Sequence, residues 1–484
     1  MRKYPKYQGG FIWDWADQGI LKRNNERTRN IPAPEIYGYG GDFHKDDASD
    51  QNFCNNGVVA PNRELHPHAY EIAQQYQNIW VTANDLQKGE INIYNENFFR
   101  NLKNYTLSWE ILENGVATQT GIIADLNVEP QKTVKVTLPY SLEGICPCKE
   151  IHLNVYFSLK SSDGIRPAGQ KVAGNQLAIR EKTEKEVAPA NCKFARNLQV
   201  LNDLALNIMG EGFTLSFDKE TGYLNNWVVD GDFVLTPGTA LTPNFWRAPT
   251  DNDYGAGIQN RLKVWKNPGL KLTALNHEVK DGQVIVTANY DMTAVQAKLT
   301  LTYTISNTGA VLVNQKMTAT KDAKVAQLFR FGMALQMPAR YNDVKYYGRG
   351  PVENYNDRKS AAFVGLYEQT VDEQFHGYQR PQETGNKTDL RFYELKDNRH
   401  NTLHITSNTL FSASALHYAM SNLDDGEHKR QNHPEYLRKG DTYVCIDLGQ
   451  MGMGCVNSWG AWPRKEYQLP YGDYDFTFLL KPMK

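Results

Sequence analysis

The chain is short of cysteine, of long apolar runs and of surplus charge, and each shortage removes a class of function. Six cysteines in 484 residues are too few for a disulfide scaffold. Cys146 and Cys148 form a lone C-x-C, while Cys54, Cys192, Cys445 and Cys455 are scattered. With no C-x-x-C pair and no H-E-x-x-H, a zinc site has little support, and most of the thiols read as core filler. No stretch approaches the ~18 apolar residues of a membrane span, and the mean hydropathy is −0.59. Lysine and arginine total 53 against 54 aspartates and glutamates. No basic surplus exists to displace phosphate counterions or to dock on anionic lipid, so neither a nucleic-acid nor a membrane partner is expected. No G-x-S-x-G, P-loop or G-x-G-x-x-G stands out. The opening MRKYPKYQGGF lacks the apolar stretch of a signal peptide.

What is present is a large stock of core material. Hydrophobic residues make up 40% of the chain, and its length suggests about three domains at roughly 150 residues each. From about Thr82 the dominant period is two. Tyr105, Leu107, Trp109 and Ile111 alternate with polar neighbours up to Asn114-Gly115, a hairpin signal. Ile151 to Leu159 alternates without a break into Ser161–Gly164. One buried and one wet face implies antiparallel sheets packed as a sandwich. A polar stretch, Arg180 to Asn191, reads as a linker. Beyond it turns at Asp218–Gly222, Asp281-Gly282 and Asn307–Gly309 punctuate further alternating strands. No long helical period interrupts, so this is one large all-β unit or two tightly joined ones. The first eighty residues differ. Gly9–Trp15 has the two-sided apolar pattern of a buried parallel strand. Pro67 to Gln77 puts Ala69, Ile72, Ala73 and Tyr76 on one helical stripe, with Pro67 suited to the first turn. A buried strand and a helix across a long loop look like the tail of an α/β unit.

The densest chemical cluster is GGFIWDWADQG, Gly9 to Gly19. Trp13, Asp14, Trp15, Asp17 and Gln18 sit at the carboxyl end of the expected strand, where parallel α/β folds bind ligands. An indole face beside carboxylates and amides suits a sugar ring; a tryptophan-rich core strand with capping aspartates fits the same pattern. Asp42-Phe43 and Asp50–Gly57 form a polar loop whose oxygens suit a hard cation, or whose side chains organise turns. Trp246–Asp253 and Tyr347–Arg358 offer Asp253, Glu353 and Asp357 either as a carboxylate pair or as buried ion pairs and caps. Val456–Trp462 is a glycine-flanked tryptophan loop, an aromatic platform or a core turn. His66, His68, His376 and His428 have no nucleophile at a recognisable spacing.

These residues resemble a known family. GGFIWDWADQG, YGYGGDF, DQNFCNNG and NRELHP, in that order, are similar to the end of the catalytic barrel of glycoside hydrolase family 2 β-galactosidases. RAPTDNDYG, GRGPVENYNDR and NSWGAWP resemble their C-terminal domain. The resemblance implies a mainly β chain in three parts. These are the tail of a (β/α)8 barrel over 1–78, an immunoglobulin-like sandwich over 79–186, and a galactose-mutarotase-like supersandwich over 187–484. It also implies site roles. Trp13 matches the tryptophan floor of the galactose pocket. Phe53 matches a mobile pocket phenylalanine whose carbonyl ligates sodium, Asn56 a sodium-ligand asparagine, Asp50 a loop aspartate near the pocket, and Trp459 an aromatic lining the aglycone side.

The departure is as informative as the match. A retaining glycosidase needs two carboxyls about 5 Å apart, and in this family both are glutamates on barrel strands upstream of Gly9. The magnesium ligands and a further sodium ligand lie upstream too. Asp14 and Asp17 are no substitutes, since one strand cannot present carboxyls to both faces of a sugar. One strand of eight cannot close a barrel, so the apolar faces of Phe11, Ile12 and Trp13 would lack partners. The expectation is a C-terminal portion of a β-galactosidase, inactive alone, that joins a galactoside substrate only with an N-terminal segment or complementary subunit. It is also free to form homo-oligomers, as the family often does. A second reading is a carbohydrate-binding or assembly subunit. A third, by fold analogy alone, is an aldose 1-epimerase, which uses a Glu and His pair; no histidine is expected near Glu353 or Asp253 to serve it.

Overall fold

A computed structural model describes residues 4, 6–22, 27–28, 31–32, 34–44, 46, 48–182, 186–193, 195–454, 457 and 459–484, with 27–28 and 31–32 in backbone only. Parts of the expected linker and of the Val456–Trp462 loop, together with Cys455, lie outside these residues. The fold is mainly β.

Alternation builds the middle of the chain as the sequence suggests. Ile151–Leu159 pairs antiparallel with Tyr105–Glu113, setting Leu153 opposite Ile111, Val155 opposite Trp109 and Phe157 opposite Leu107. All six are buried in one core. Lys171–Arg180 and Val116–Ile123 complete this four-stranded sheet, and Ile79–Asp85, Glu90–Asn95 and Thr133–Thr137 form the opposing sheet of three. The hairpin at Asn114-Gly115 takes left-handed backbone at both residues, φ 47° and 83°, as a two-residue turn between twisted strands requires. Gly115 is needed for space as well. A Cβ there would lie 2.8 Å from the Leu366 backbone nitrogen, so the turn abuts the C-terminal unit.

Residues beyond 198 form a five-stranded sheet from Gln199–Asn202 to Asp232–Phe233 and a twelve-stranded sheet. A nine-strand path of that second sheet runs from Thr242–Asn244 to Leu270–Lys280. One continuous core joins them, with Trp227 and Phe217 from the smaller sheet and Tyr303, Phe331 and Phe478 from the larger. The turns expected at Asp218–Gly222, Asp281-Gly282 and Asn307–Gly309 fall between consecutive strands. No described helix in this unit exceeds five residues.

The thiols depart from expectation. Cys146 and Cys148 are exposed and joined to each other, and Cys192 is exposed. None of the three is core filler. The C-x-C lies in the loop between Thr133–Thr137 and Ile151–Leu159, at the surface.

The first sixty residues carry a second correction. Gly9–Trp15 is not a buried strand. Phe11, Ile12, Trp13 and Trp15 are all exposed, Trp13 at 79%. Among the described residues the segment bonds along one edge only. Asp14 N donates to Asn56 O at 2.8 Å, Val58 N to Asp14 O at 3.0 Å, and Val59 N to Trp15 O at 3.0 Å. Ala16 and Val59 make a parallel bridge. The local core is small, built from Val58, Val59 and Ala69 with Ala16 and Ile72. The helix forms over Pro67–Gln75 with Pro67 in its first turn. Ala69 and Ile72 are covered, but Ala73 and Tyr76 of the expected stripe are exposed, because no described element packs on that side.

Candidate functional site

Asp17 fixes the geometry of this edge. Its carboxylate is buried, accepts the Gly57 backbone N–H at 2.7 Å, and pairs with His66 Nε2 at 2.8 Å. Gly57 must be glycine, since a Cβ would fall 2.1 Å from the Asp17 nitrogen. The loop Gln51–Cys54 and the residues after it are thereby held against Trp13–Asp17. Asp14 is committed locally: Gln18 Nε2 donates to it at 2.6 Å and the Trp15 N–H at 2.5 Å. Both carboxylates are thus engaged, Asp14 within its own segment and Asp17 with Gly57 and His66.

The C-terminal unit closes the other side. Lys429 Nζ lies 3.1 Å from Asn52 Oδ1 and 3.0 Å from Asp251, and Arg380 pairs with Asp251 at 2.9 Å and Asp425 at 2.6 Å. Burial pushes the Asp251 carboxyl up, but Arg380 and Lys429 outweigh it and hold it well below the usual carboxylate range. Between the two sides lies a cavity of about 520 Å³, lined by Phe53, Asn56, Tyr254, Gln259, Lys429 and Trp459 among others.

Three of the sequence-predicted residues therefore share one cavity. Phe53 and Trp459, from opposite ends of the chain, have ring centroids 6.3 Å apart. Asn56 Nδ2 donates to the Phe53 carbonyl. Trp13 reaches this group through its neighbour, the Asp14–Asn56 backbone bond, and its indole stands in the open. Asp50 is exposed at the start of the Gln51–Cys54 turn and does not line the cavity. Asp253, Glu353 and Asp357 follow the second alternative. Asp253 caps Thr250 and pairs with Arg247 at 2.8 Å, Glu353 pairs with Arg358, and Asp357 accepts the Met453 and Gly454 N–H groups.

A buried histidine network escaped the sequence reading. His66 Nδ1 shares a hydrogen bond of 2.7 Å with His376 Nε2. His376 N donates to Thr384 Oγ1 at 3.1 Å, and that hydroxyl lies 2.7 Å from Glu353 Oε2. A histidine is thus near Glu353, contrary to expectation. Its partners are far apart in sequence, and nothing in local spacing signals them. The carboxylate is nonetheless fully engaged by Arg358, Tyr378, Thr384 and the Gly385 N–H. Burial raises its pKa, but these partners prevail and hold it at about 2. Burial also pulls the His376 and His68 imidazoles down to about 4.

A hard cation would find two neutral oxygens here, the Phe53 carbonyl and, with the amide turned end for end, Asn56 Oδ1. They are already in contact, so they fit part of the shell of roughly six oxygens that such an ion takes. Among the described residues no group of three or more histidine, cysteine, aspartate or glutamate side chains converges on a metal-sized point.

Three family models match successive stretches of the chain. The family model described as the β-galactosidase small chain matches residues 209–480, that of β-galactosidase domain 4 matches 91–180, and that of the glycosyl hydrolase family 2 TIM barrel domain matches 1–81. The chain belongs to the family 2 β-galactosidases. A β-galactosidase of Priestia megaterium is 32% identical over 489 residues, covering 99% of this chain and 45% of the relative. Those of Streptococcus thermophilus and Lactobacillus delbrueckii subsp. bulgaricus are 29% and 31% identical, covering 100% and 97% of the chain and 45% and 44% of themselves. The chain thus spans less than half the length of these β-galactosidases. A galactose mutarotase related enzyme from Lactobacillus acidophilus overlays 59% of the chain and 97% of its own at 9% identity, with a TM-score of 0.32, too low to carry an argument.

Proposed function

We propose that this chain forms the aromatic and cation-loop wall of a retaining β-galactosidase pocket, and that the two reacting glutamates come from barrel strands outside it. The observation that supports this most is the Phe53–Trp459 contact, on a loop that the Asp14–Asn56 backbone bond ties to the segment carrying the open indole of Trp13. Aromatic faces left uncovered on a fixed backbone, with amides and hydroxyls around them, suit the apolar face of a galactose ring. In this reading Trp13 floors the sugar, Trp459 lines the leaving-group side, and Asp50 stands near the pocket rim. The Phe53 carbonyl and Asn56 contribute to a sodium site, while magnesium is held by ligands elsewhere. Sodium would supply a fixed positive charge that orients a sugar hydroxyl.

The chain's own work is then positioning. Asp17 and His66 lock the Phe53–Asn56 loop next to Trp13, and the Lys429–Asn52 contact brings the Trp459 unit to the same pocket. Attack on the anomeric carbon and protonation of the leaving oxygen fall to the absent glutamates, so the chain alone turns over no galactoside. Mixed with a segment carrying those glutamates, it should restore hydrolysis. In that mixture Trp13→Ala should lower kcat/KM about 10- to 100-fold, the loss of one well-covered aromatic contact. An unchanged kcat/KM would contradict the assignment. The reading as a binding or assembly module predicts sugar binding with no gain of turnover on mixing.

A further inference from the structure

A second cavity lies within the C-terminal unit, and it shares no lining residue with the Phe53–Trp459 pocket. It measures about 220 Å³. That is several times the ~30 Å³ of a liquid water and below the ~300–1,000 Å³ of pockets for drug-sized ligands, which is room for one ring. Its walls are apolar, with Leu335, Leu416, Met420 and Leu423 among them. Its floor is not. Arg330 and Glu383 line it, both nine-tenths buried or more, and they pair at 3.0 Å. Behind Arg330, at 3.2 Å, sits Asp447. Gly332 leaves room for that carboxylate, since a Cβ there would fall 2.3 Å from Asp447 Oδ1.

The floor offers an unpaired acceptor. Glu383 spends Oε1 on both Arg330 and Gln450, and its Oε2 has no hydrogen bond among the described residues. Asp447, whose oxygens also lack a hydrogen-bond partner among the described residues, lies behind Arg330 and does not line the cavity. A buried acceptor without a donor is costly, so the fitting occupant brings a hydroxyl group to Glu383 Oε2. An apolar occupant would leave that oxygen unpaired. An ionic one finds little net field, because the Arg330 charge is offset by Glu383 and by Asp447, whose carboxyl burial pushes up to about 7 against Arg330. Apolar walls over an acceptor-bearing floor match the amphiphilic faces of a pyranose.

We propose that this cavity is a second carbohydrate site, taking one neutral monosaccharide ring by its apolar face and donating hydroxyls. It is independent of the galactoside pocket and of the role proposed for it. The test is ligand-observed NMR on the full chain with D-galactose and D-glucose. Saturable binding is expected, with Kd on the order of 1 mM, as suits a small ligand. Trp13→Ala should leave that binding intact. Ser414→Leu, which fills the floor, and Ala240→Trp, which fills the rim, should each weaken it at least tenfold. If Ser414→Leu does not fold, Ala240→Trp decides alone. Loss of binding in Trp13→Ala with none in the cavity variants would place the sugar in the other pocket and overturn the proposal. So would absence of binding to the unmodified chain, or binding of methylammonium in place of the sugars.

Discussion

Two groups of aromatic residues in this chain have opposite fates. Trp227, Tyr303 and Phe478 of the C-terminal unit are fully enclosed, whereas Phe11, Trp13 and Trp15 near the start are open to solvent. The residue types are alike and so are the local patterns. The difference is the number of layers. An inner strand of the large sheet has neighbours on both edges and a second sheet across the core, while among the described residues the Trp13 segment bonds along a single edge. Apolar pattern reports what a segment is suited to bury, and only the tertiary setting decides whether it does.

The contrast can be broken most severely inside the closed region. Trp227→Ala should cost about 3–5 kcal/mol in chemical denaturation of the C-terminal unit, the usual loss for a large core aromatic. Arg330→Met should cost a similar ~3–5 kcal/mol, because it leaves Glu383 and Asp447 buried without their cation. A cost below ~1 kcal/mol in either case would mean that this core is looser than its burial implies.

Acid sharpens the comparison at the seam between the regions. His68 and His376 lie near 4 in the folded chain, below the ordinary value near 6.5. Between those values the unfolded chain binds more protons than the folded one. Stability therefore falls as pH drops from about 6.5 towards 4, by up to ~1.4 kcal/mol per unit for each histidine. His376→Gln should flatten that slope in denaturant midpoints recorded across this window; an unchanged slope would remove His376 from the account. Removing the Thr250 hydroxyl, which accepts the Asp253 N–H, should cost about 1 kcal/mol in Thr250→Ala. The smallest effect is expected in the open region. Trp13→Ala should alter stability by no more than ~0.5 kcal/mol, since its side chain is largely exposed.

Much of the fold could be read from residue patterns. The alternation at Tyr105–Glu113 and Ile151–Leu159, and turn pairs such as Asn114-Gly115, specify strands and hairpins from local chemistry. The meeting of Phe53, Asn56 and Trp459 was reachable only through ordered motifs, because no spacing rule joins residues at opposite ends of a chain. The His66–His376 contact and the buried Arg330 ion pairs with Glu383 and Asp447 had no such motif. Both depend on long-range sheet packing, which sets side chains together without leaving a periodic trace. At Gly9–Trp15 the pattern alone suggested a buried strand, while the lack of partners expected for Phe11, Ile12 and Trp13 is what their exposure shows, since no second layer lies among the described residues.

Everything turns on whether the open aromatic wall is one half of a pocket. The direct measurement is turnover of a β-galactoside by the purified chain, freed of host enzyme, before and after addition of a segment bearing the two barrel glutamates. No turnover before and measurable turnover after is the predicted result. Hydrolysis by the chain alone would contradict it.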